Sequence, residues 1–191
     1  MLEGFTPWPE ERASFYRKTG CWEGLTFGQM LENRSKQYAN NIAVVDYTGA
    51  LTYAELQERV NLLAAGLQKL GIQKDDRVVV QLPNAIPYVE VIFALFNIGA
   101  LPVFALPSHR YNEISYFCEH AEAKAYIIID RFSGFDYRNL ARQVKEKTSS
   151  LEHIIVIGDE EEFIDYSSLF IDEPVKDTYV QGSDVAFLQL S

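Results

Sequence analysis

Three adjacent side chains carry the most suggestive chemistry in the sequence. Ser108, His109 and Arg110 follow directly after the apolar run Leu101-Pro-Val-Phe-Ala-Leu106 and the breaker Pro107. Ligands of open α/β sheets bind at the carboxyl ends of strands. A hydroxyl, an imidazole and a guanidinium at such an end could bind an anion or move a proton. The competing expectation is that Ser108 caps the next helix while His109 and Arg110 face solvent or a neighbouring loop. His120 lies beside Cys118 and Glu119 but has no second ligand one helical turn away, so a metal role is not expected. His153 opens a predicted strand and reads as a surface residue. Asp159-Glu-Glu-Glu162 could attract a cation, although an acidic loop of this kind is usually just solvated. Tyr111, Tyr116, Phe117 and Tyr126 could line an aromatic pocket, but their spacing fits ordinary helix and strand packing. Glycine-rich nucleotide fingerprints, a nucleophile elbow and zinc-protease or calcium-loop motifs are all missing. The residues by themselves give no catalytic constellation and no metal-ligand set.

The elements that must position these groups alternate. Thr26-Phe-Gly-Gln29 and Thr52-Tyr-Ala-Glu55 have the form of capping boxes opening helices, the first running to about Ala39. Leu56, Val60, Leu63, Ala64, Leu67 and Leu70 then recur at helical spacing, with Gly71 as a stop. Strands are predicted at 42–47, 76–82, 101–106, 125–130, 153–157 and 185–190, with a turn at 48–50. Helices are predicted from Pro9 to Lys18, from an Asn84 cap to Gly99, near 113–121 and over 136–147. The acidic stretch 158–183 reads as a short helix and loops. Solidly apolar strands separated by helices imply an α/β fold, a doubly wound and mainly parallel sheet with flanking helices.

Bulk properties narrow the class further. The chain has 191 residues, 48% of them hydrophobic and 23% charged, which is ordinary for a globular protein. Seventeen basic against twenty-seven acidic residues give a net charge of -10, which argues against nucleic acid or an anionic membrane as partner. Cys21 and Cys118 are far apart and read as reduced thiols of a cytoplasmic protein. Asn33-Arg-Ser35 fits a glycosylation sequon, but no export signal accompanies it.

Several stretches together resemble one family. Leu51-Thr-Tyr-Ala-Glu-Leu56 is similar to the first core motif of the adenylate-forming (AMP-binding) enzymes. Asp76-Arg-Val-Val-Val-Gln-Leu-Pro-Asn84 fits their next strand and turn, and Phe93-Ala-Leu-Phe-Asn-Ile-Gly-Ala-Leu-Pro-Val103 resembles their second core motif. Phe104-Ala-Leu-Pro-Ser-His-Arg110, Arg131-Phe-Ser-Gly-Phe-Asp-Tyr-Arg138 and Ser183-Asp-Val-Ala-Phe-Leu-Gln-Leu-Ser191 look like the aryl-acid branch, specifically the 2,3-dihydroxybenzoate–AMP ligases of catechol siderophore synthesis.

The resemblance implies a two-step reaction. A carboxylate attacks the α-phosphate of Mg-ATP, and the resulting acyl-adenylate is captured by the phosphopantetheine thiol of a carrier protein. It thus implies ATP and Mg²⁺ as cofactors and an aryl acid and an aryl carrier protein as partners. Backbone N–H groups of a Gly/Ser/Thr-rich loop, a lysine and Mg²⁺ hold the phosphates in that family. Ser191 matches the first residue of this loop and is the only position to which a nucleotide contact can be carried. The expectation is therefore that residues 1–191 are an incomplete N-terminal portion of an adenylation domain, with 1–24 an extension within it. No catalytic residue carries over. This portion alone is expected to be inactive, to bind ATP weakly at most, and to be poorly soluble. A fragment of a ligase for salicylate or another aryl or acyl acid, and a non-enzymatic module that binds a carrier protein or another subunit through His109 and Arg110, are the alternatives.

Overall fold

The computed structural model describes residues 6–176 and 178–189. Leu190 and Ser191, at the end of the last predicted strand, lie outside the described residues. Helix α1 (Glu10–Lys18) buries only Ala13, and the chain around it is held by aromatic contacts, Trp8 edge-on to Trp22 at 5.9 Å and Tyr16 against Trp22 at 5.3 Å. Helix α2 (Phe27–Gln37) starts at a true capping box, with Thr26 and Gln29 satisfying each other's backbone N–H groups, and ends two residues short of expectation. Strands β1 (Ile42–Asp46) and β2 (Gly49–Thr52) form a separate antiparallel hairpin. The second capping box, Thr52 with Glu55, opens the long helix α3 (Tyr53–Lys69).

From there strands and helices alternate: β3 (Arg77–Gln81), α4 (Ile86–Ile98), β4 (Leu101–Phe104), α5 (Tyr111–His120) and β5 (Ala125–Ile129). A small hairpin follows, β6 (Arg131–Phe132) with β7 (Phe135–Asp136), then α6 (Tyr137–Lys147) and β8 (His153–Ile157). The stretch beyond contains β9 (Ile164–Asp165), a 3₁₀ turn at Tyr166–Leu169 and finally β10 (Leu188–Gln189). One sheet of six strands, in the order β10-β4-β3-β5-β8-β9, holds the fold together, and every pairing in it is parallel.

Strand periodicity splits the core in two. Val78, Val80, Ile127 and Ile155 point to one face, where Leu63, Leu67, Val91 and Leu95 of α3 and α4 cover them. Val79, Tyr126, Ile128, Ile154 and Val156 point to the other, under Ile114 and Phe117 of α5 and Leu140 and Val144 of α6. Burial on both faces explains why the strands are apolar throughout rather than alternating. The doubly wound expectation therefore holds, with a fully parallel sheet.

Two local expectations are corrected and a third is extended. Ala85, not Asn84, occupies the cap position of α4, and the first free amide of that helix, Ile86 N–H, donates to the Asp46 carboxylate at 2.8 Å. The hairpin β6–β7 was not expected; Ser133 and Gly134, both at positive φ, form its two-residue turn. Asp159–Glu162 is largely exposed as expected, but the Asp159, Glu161 and Glu162 carboxylates are ion-paired. Arg142 pairs with Glu161 and Glu162, and Arg138, only 1% exposed, pairs with Asp136, Asp159 and Glu161.

Candidate functional site

Helix α4, which follows β3, covers one face of the sheet, and α5, which follows the neighbouring β4, covers the other. Connections that part in this way open a crevice at the carboxyl edge, the usual ligand position in such folds. Beneath that edge lies Gln81, the last residue of β3 and wholly buried. Its amide donates to Leu106 O at 2.8 Å and to His109 O at 3.0 Å, and its carbonyl accepts from the Tyr126 hydroxyl of β5.

The segment Leu106–Arg110 is a tightly fastened turn. His109 N–H donates to Leu106 O at 3.0 Å, and Leu106 N–H donates back to His109 Nδ1 at 3.1 Å. Tyr137 Oη donates to Pro107 O at 2.8 Å. The Arg110 guanidinium donates to Pro107 O and His109 O, both at 2.7 Å, and stacks 4.0 Å over the Phe135 ring. Of the competing expectation only the Ser108 cap fails, since Arg110 is exposed and lies against the neighbouring β6–β7 hairpin. The helix begins at Tyr111, so Arg110 rather than Ser108 holds the cap position, and Glu113 accepts the Arg110 N–H at 3.0 Å. That backbone bond, first among its contacts, holds the Glu113 carboxyl below its ordinary range. One guanidinium nitrogen of Arg110, Nη1, makes both bonds to Pro107 O and His109 O, and His109 Nδ1 is occupied as an acceptor.

The next two strand ends are equally self-contained. The Asp130 carboxylate after β5 accepts Asp159 N–H after β8 at 3.1 Å. Gly158, at φ +108, makes room for it, because a Cβ there would lie 2.5 Å from the Asp130 carboxyl carbon. Arg138 hydrogen bonds hold the Asp136 carboxyl at about 2, and Arg142 hydrogen bonds do the same for Glu162, also about 2.

The remaining candidates disperse. Tyr126 and Phe117 pack in the core, Tyr111 lies beside Lys147 at 5.6 Å, and exposed Tyr116 stacks on His120 at 5.2 Å, so no aromatic pocket forms. His153 is not a surface residue: 20% of its side chain is exposed, and burial lowers its pKa. Cys118 is buried, and burial pushes its thiol up to about 12, while Cys21 is exposed; both are free. Gln81 was missed by sequence reasoning, although one signal marked it: a lone amide ends the solidly apolar run Val78–Val80.

One further backbone arrives at this edge. Strand β10 pairs parallel to β4, Leu188 opposite Val103 and Gln189 opposite Phe104, and so runs toward the Leu106–His109 turn. Many polar atoms at these strand ends bond to one another, and among the described residues no group of three or more His, Cys, Asp or Glu side chains could hold a metal ion. The chain matches the AMP-binding enzymes over residues 31–191. It belongs to the AMP-binding enzyme family. It is 61% identical over all 191 residues to the 2,3-dihydroxybenzoate-AMP ligase of Bacillus subtilis, covering 35% of that protein. Identity to the salicyl-AMP ligase / salicyl-S-ArCP synthetase of Mycobacterium tuberculosis is 39%, over 88% of this chain and 31% of that one. The apo structure of Mycobacterium smegmatis MbtA superposes with a TM-score of 0.91 at 35% identity, over 97% of this chain and 35% of that chain. This member of the AMP-binding family thus spans about a third of the length of those relatives.

Proposed function

We propose that residues 1–191 are the opening portion of the adenylation domain of an aryl-acid–AMP ligase, with residues 1–24 an extension within it. In the whole ligase, 2,3-dihydroxybenzoate attacks the α-phosphorus of Mg-ATP, pyrophosphate leaves, and the aryl group passes to the phosphopantetheine thiol of an aryl carrier protein. Ser191 is the first residue of the phosphate loop in this reading. The role of the described residues is to build the sheet edge from which that loop departs. The 61% identity to the Bacillus subtilis ligase over the whole chain carries the proposal. The parallel approach of β10 to the carboxyl edge agrees with it. We place the reaction in the cytoplasm, where ATP is available and free thiols such as Cys21 and Cys118 persist. No helix among the described residues is long and apolar enough to cross a membrane.

The test is ATP–pyrophosphate exchange with 2,3-dihydroxybenzoate, salicylate and benzoate. A full-length ligase that contains these residues should exchange best with 2,3-dihydroxybenzoate. The 191-residue chain should not exchange above background, because positioning and charge stabilisation supply most of such a rate. Exchange by the 191-residue chain would overturn this assignment of roles. A preference for salicylate would favour the second reading, which the 39% identity to the Mycobacterium tuberculosis protein supports.

A further inference from the structure

Gln81 is a fully buried amide at the carboxyl end of a central strand, a costly place for a polar group unless its partners are complete. Here they dictate its orientation. Leu106 O and His109 O can only accept, so the amide nitrogen must face the turn, at 2.8 and 3.0 Å. The amide oxygen must then face Tyr126, and the phenol must donate. Tyr126 is itself unexposed, and burial drives its pKa up, so the donor proton is retained. Three elements are thereby joined through one side chain: β3 by its backbone, β5 through Tyr126, and the turn after β4 through two carbonyls.

Strand β4, which leads straight into that turn, is also what β10 leans on. Among the described residues, β4 is the only strand bonded to β10, and Phe104 packs against Phe187 with ring centres 5.2 Å apart. A shift of Phe104–Leu106 is therefore passed directly to the strand that runs toward the proposed phosphate loop. We propose that Gln81, backed by Tyr126, is a positioning residue that fixes the Leu106–His109 turn and, through it, the carboxyl end of β10 for adenylate formation. The catalytic part of this inference rests on the ligase reading above; the structural part does not.

Two readouts separate them. The first is amide exchange in the 191-residue chain. Gln81→Met keeps side-chain length and apolar burial but removes both donors. It should speed exchange about tenfold at residues 104–110 and 187–189 and leave α3 and α4 unchanged, a local opening rather than a global one. Gln81→Glu sets a carboxylate against two carbonyl oxygens and should do more. Its effect should partly reverse on acidification, because a protonated carboxyl regains one donor, and the Gln81→Met protein should show no such recovery. Tyr126→Phe should loosen the same two segments less. Uniform acceleration across the chain, or a turn that loosens without β10, would overturn the proposal. The second readout is ATP–pyrophosphate exchange in the full-length ligase. There Gln81→Met should lower kcat about tenfold while KM for the aryl acid changes less than about threefold, the pattern of lost positioning rather than lost binding. A wild-type ligase without exchange activity would count against the ligase reading alone, and amide exchange would still decide the positioning of β10. An active ligase whose kcat is untouched by Gln81→Met would overturn the catalytic part.

Discussion

Two backbones reach the carboxyl edge of the sheet by different means. Strands β3, β4 and β5 are placed by burial: their side chains have almost no exposure and interlock with helices on both faces. Strand β10 is placed by a strap. Between the 3₁₀ turn beside β9 and β10 itself, the chain crosses from one edge of the sheet to the other, since those two strands are its outermost members. The described residues of this crossing form no helix or strand. Phe170 and Val175 pack against the core beneath it, and the rest of the crossing is fastened by polar side chains. The Gln68 amide pairs with both the N–H and C=O of Lys176, at 2.8 and 2.9 Å, Lys69 pairs with Glu173 at 2.6 Å, and Lys74 pairs with Asp184 at 2.7 Å. Exposed polar fastenings are individually weak, whereas packed cores fail cooperatively. The strap should therefore respond to salt and single substitutions locally, and the core should respond globally.

The largest expected effect is in the core. Leu67 has no exposure and packs within the cluster that joins α3 and α4 to the sheet. Leu67→Ala should cost about 2–5 kcal/mol, the lost transfer energy plus an unfilled cavity. Urea unfolding followed by fluorescence and by circular dichroism should shift together. A loss below about 1 kcal/mol would mean that this layer is not packed as a core, and the contrast with the strap would fail.

Next comes the arginine cluster that ties α6 to the loop after β8. Its effect is visible on the acid side. Arg138 holds the Asp136 carboxyl at about 2, below its ordinary 3.8. A depressed carboxyl contributes stability that is present above its unfolded value and is lost as pH falls through the folded one. The native chain should accordingly lose stability between pH 3.8 and 2. Arg138→Met should lower the melting temperature at neutral pH and flatten the profile across that window. Glu162, held chiefly by Arg142 and only in small part by Arg138, should keep most of its own depression. An unchanged acid profile would show that Asp136 draws nothing from Arg138.

The same contrast explains what could be read in advance. Helix α3 was legible from its capping box and apolar repeat, and β8 from His153 to Ile157, because burial writes its pattern into residue type. The sheet edge was not. Ser108, His109 and Arg110 have the right types for chemistry, but their roles depend on which carbonyls happen to lie within reach, and that is decided by Gln81, Phe135 and Tyr137 from elsewhere in the chain. The exposure of Asp159–Glu162 was legible but its ion pairs were not, since Arg138 and Arg142 lie about twenty residues away in sequence. Strand β9 carries two residues and leaves no periodicity to detect, whereas β10 falls inside the strand expected at 185–190. The family resemblance found the fold and the branch, yet it could not say which side chains on the edge are already spent.

The smallest effect is the one that probes the strap itself. Lys74 donates to the Asp184 carboxylate and, at 3.2 Å, to Tyr179 O, and Asp184 also accepts the Gln181 N–H at 2.9 Å. Partial burial works to raise the Asp184 pKa, but these donors outweigh it and the carboxyl sits below its ordinary value. Both partners are about a third exposed, so the pair is screened, and Lys74→Met should cost no more than about 1 kcal/mol globally. Locally the consequence is larger: amide exchange should accelerate over residues 179–189 and stay unchanged in β3 and β5. At 1 M salt the Debye length falls to about 3 Å, so the native chain should approach the exchange pattern of the Lys74→Met protein, which should itself be insensitive to salt. If Lys74→Met instead lowers global stability as much as Leu67→Ala, the strap is part of the core. The position of β10 would then depend on the whole fold rather than on the ion pair and the Gln81-fastened turn at its two ends.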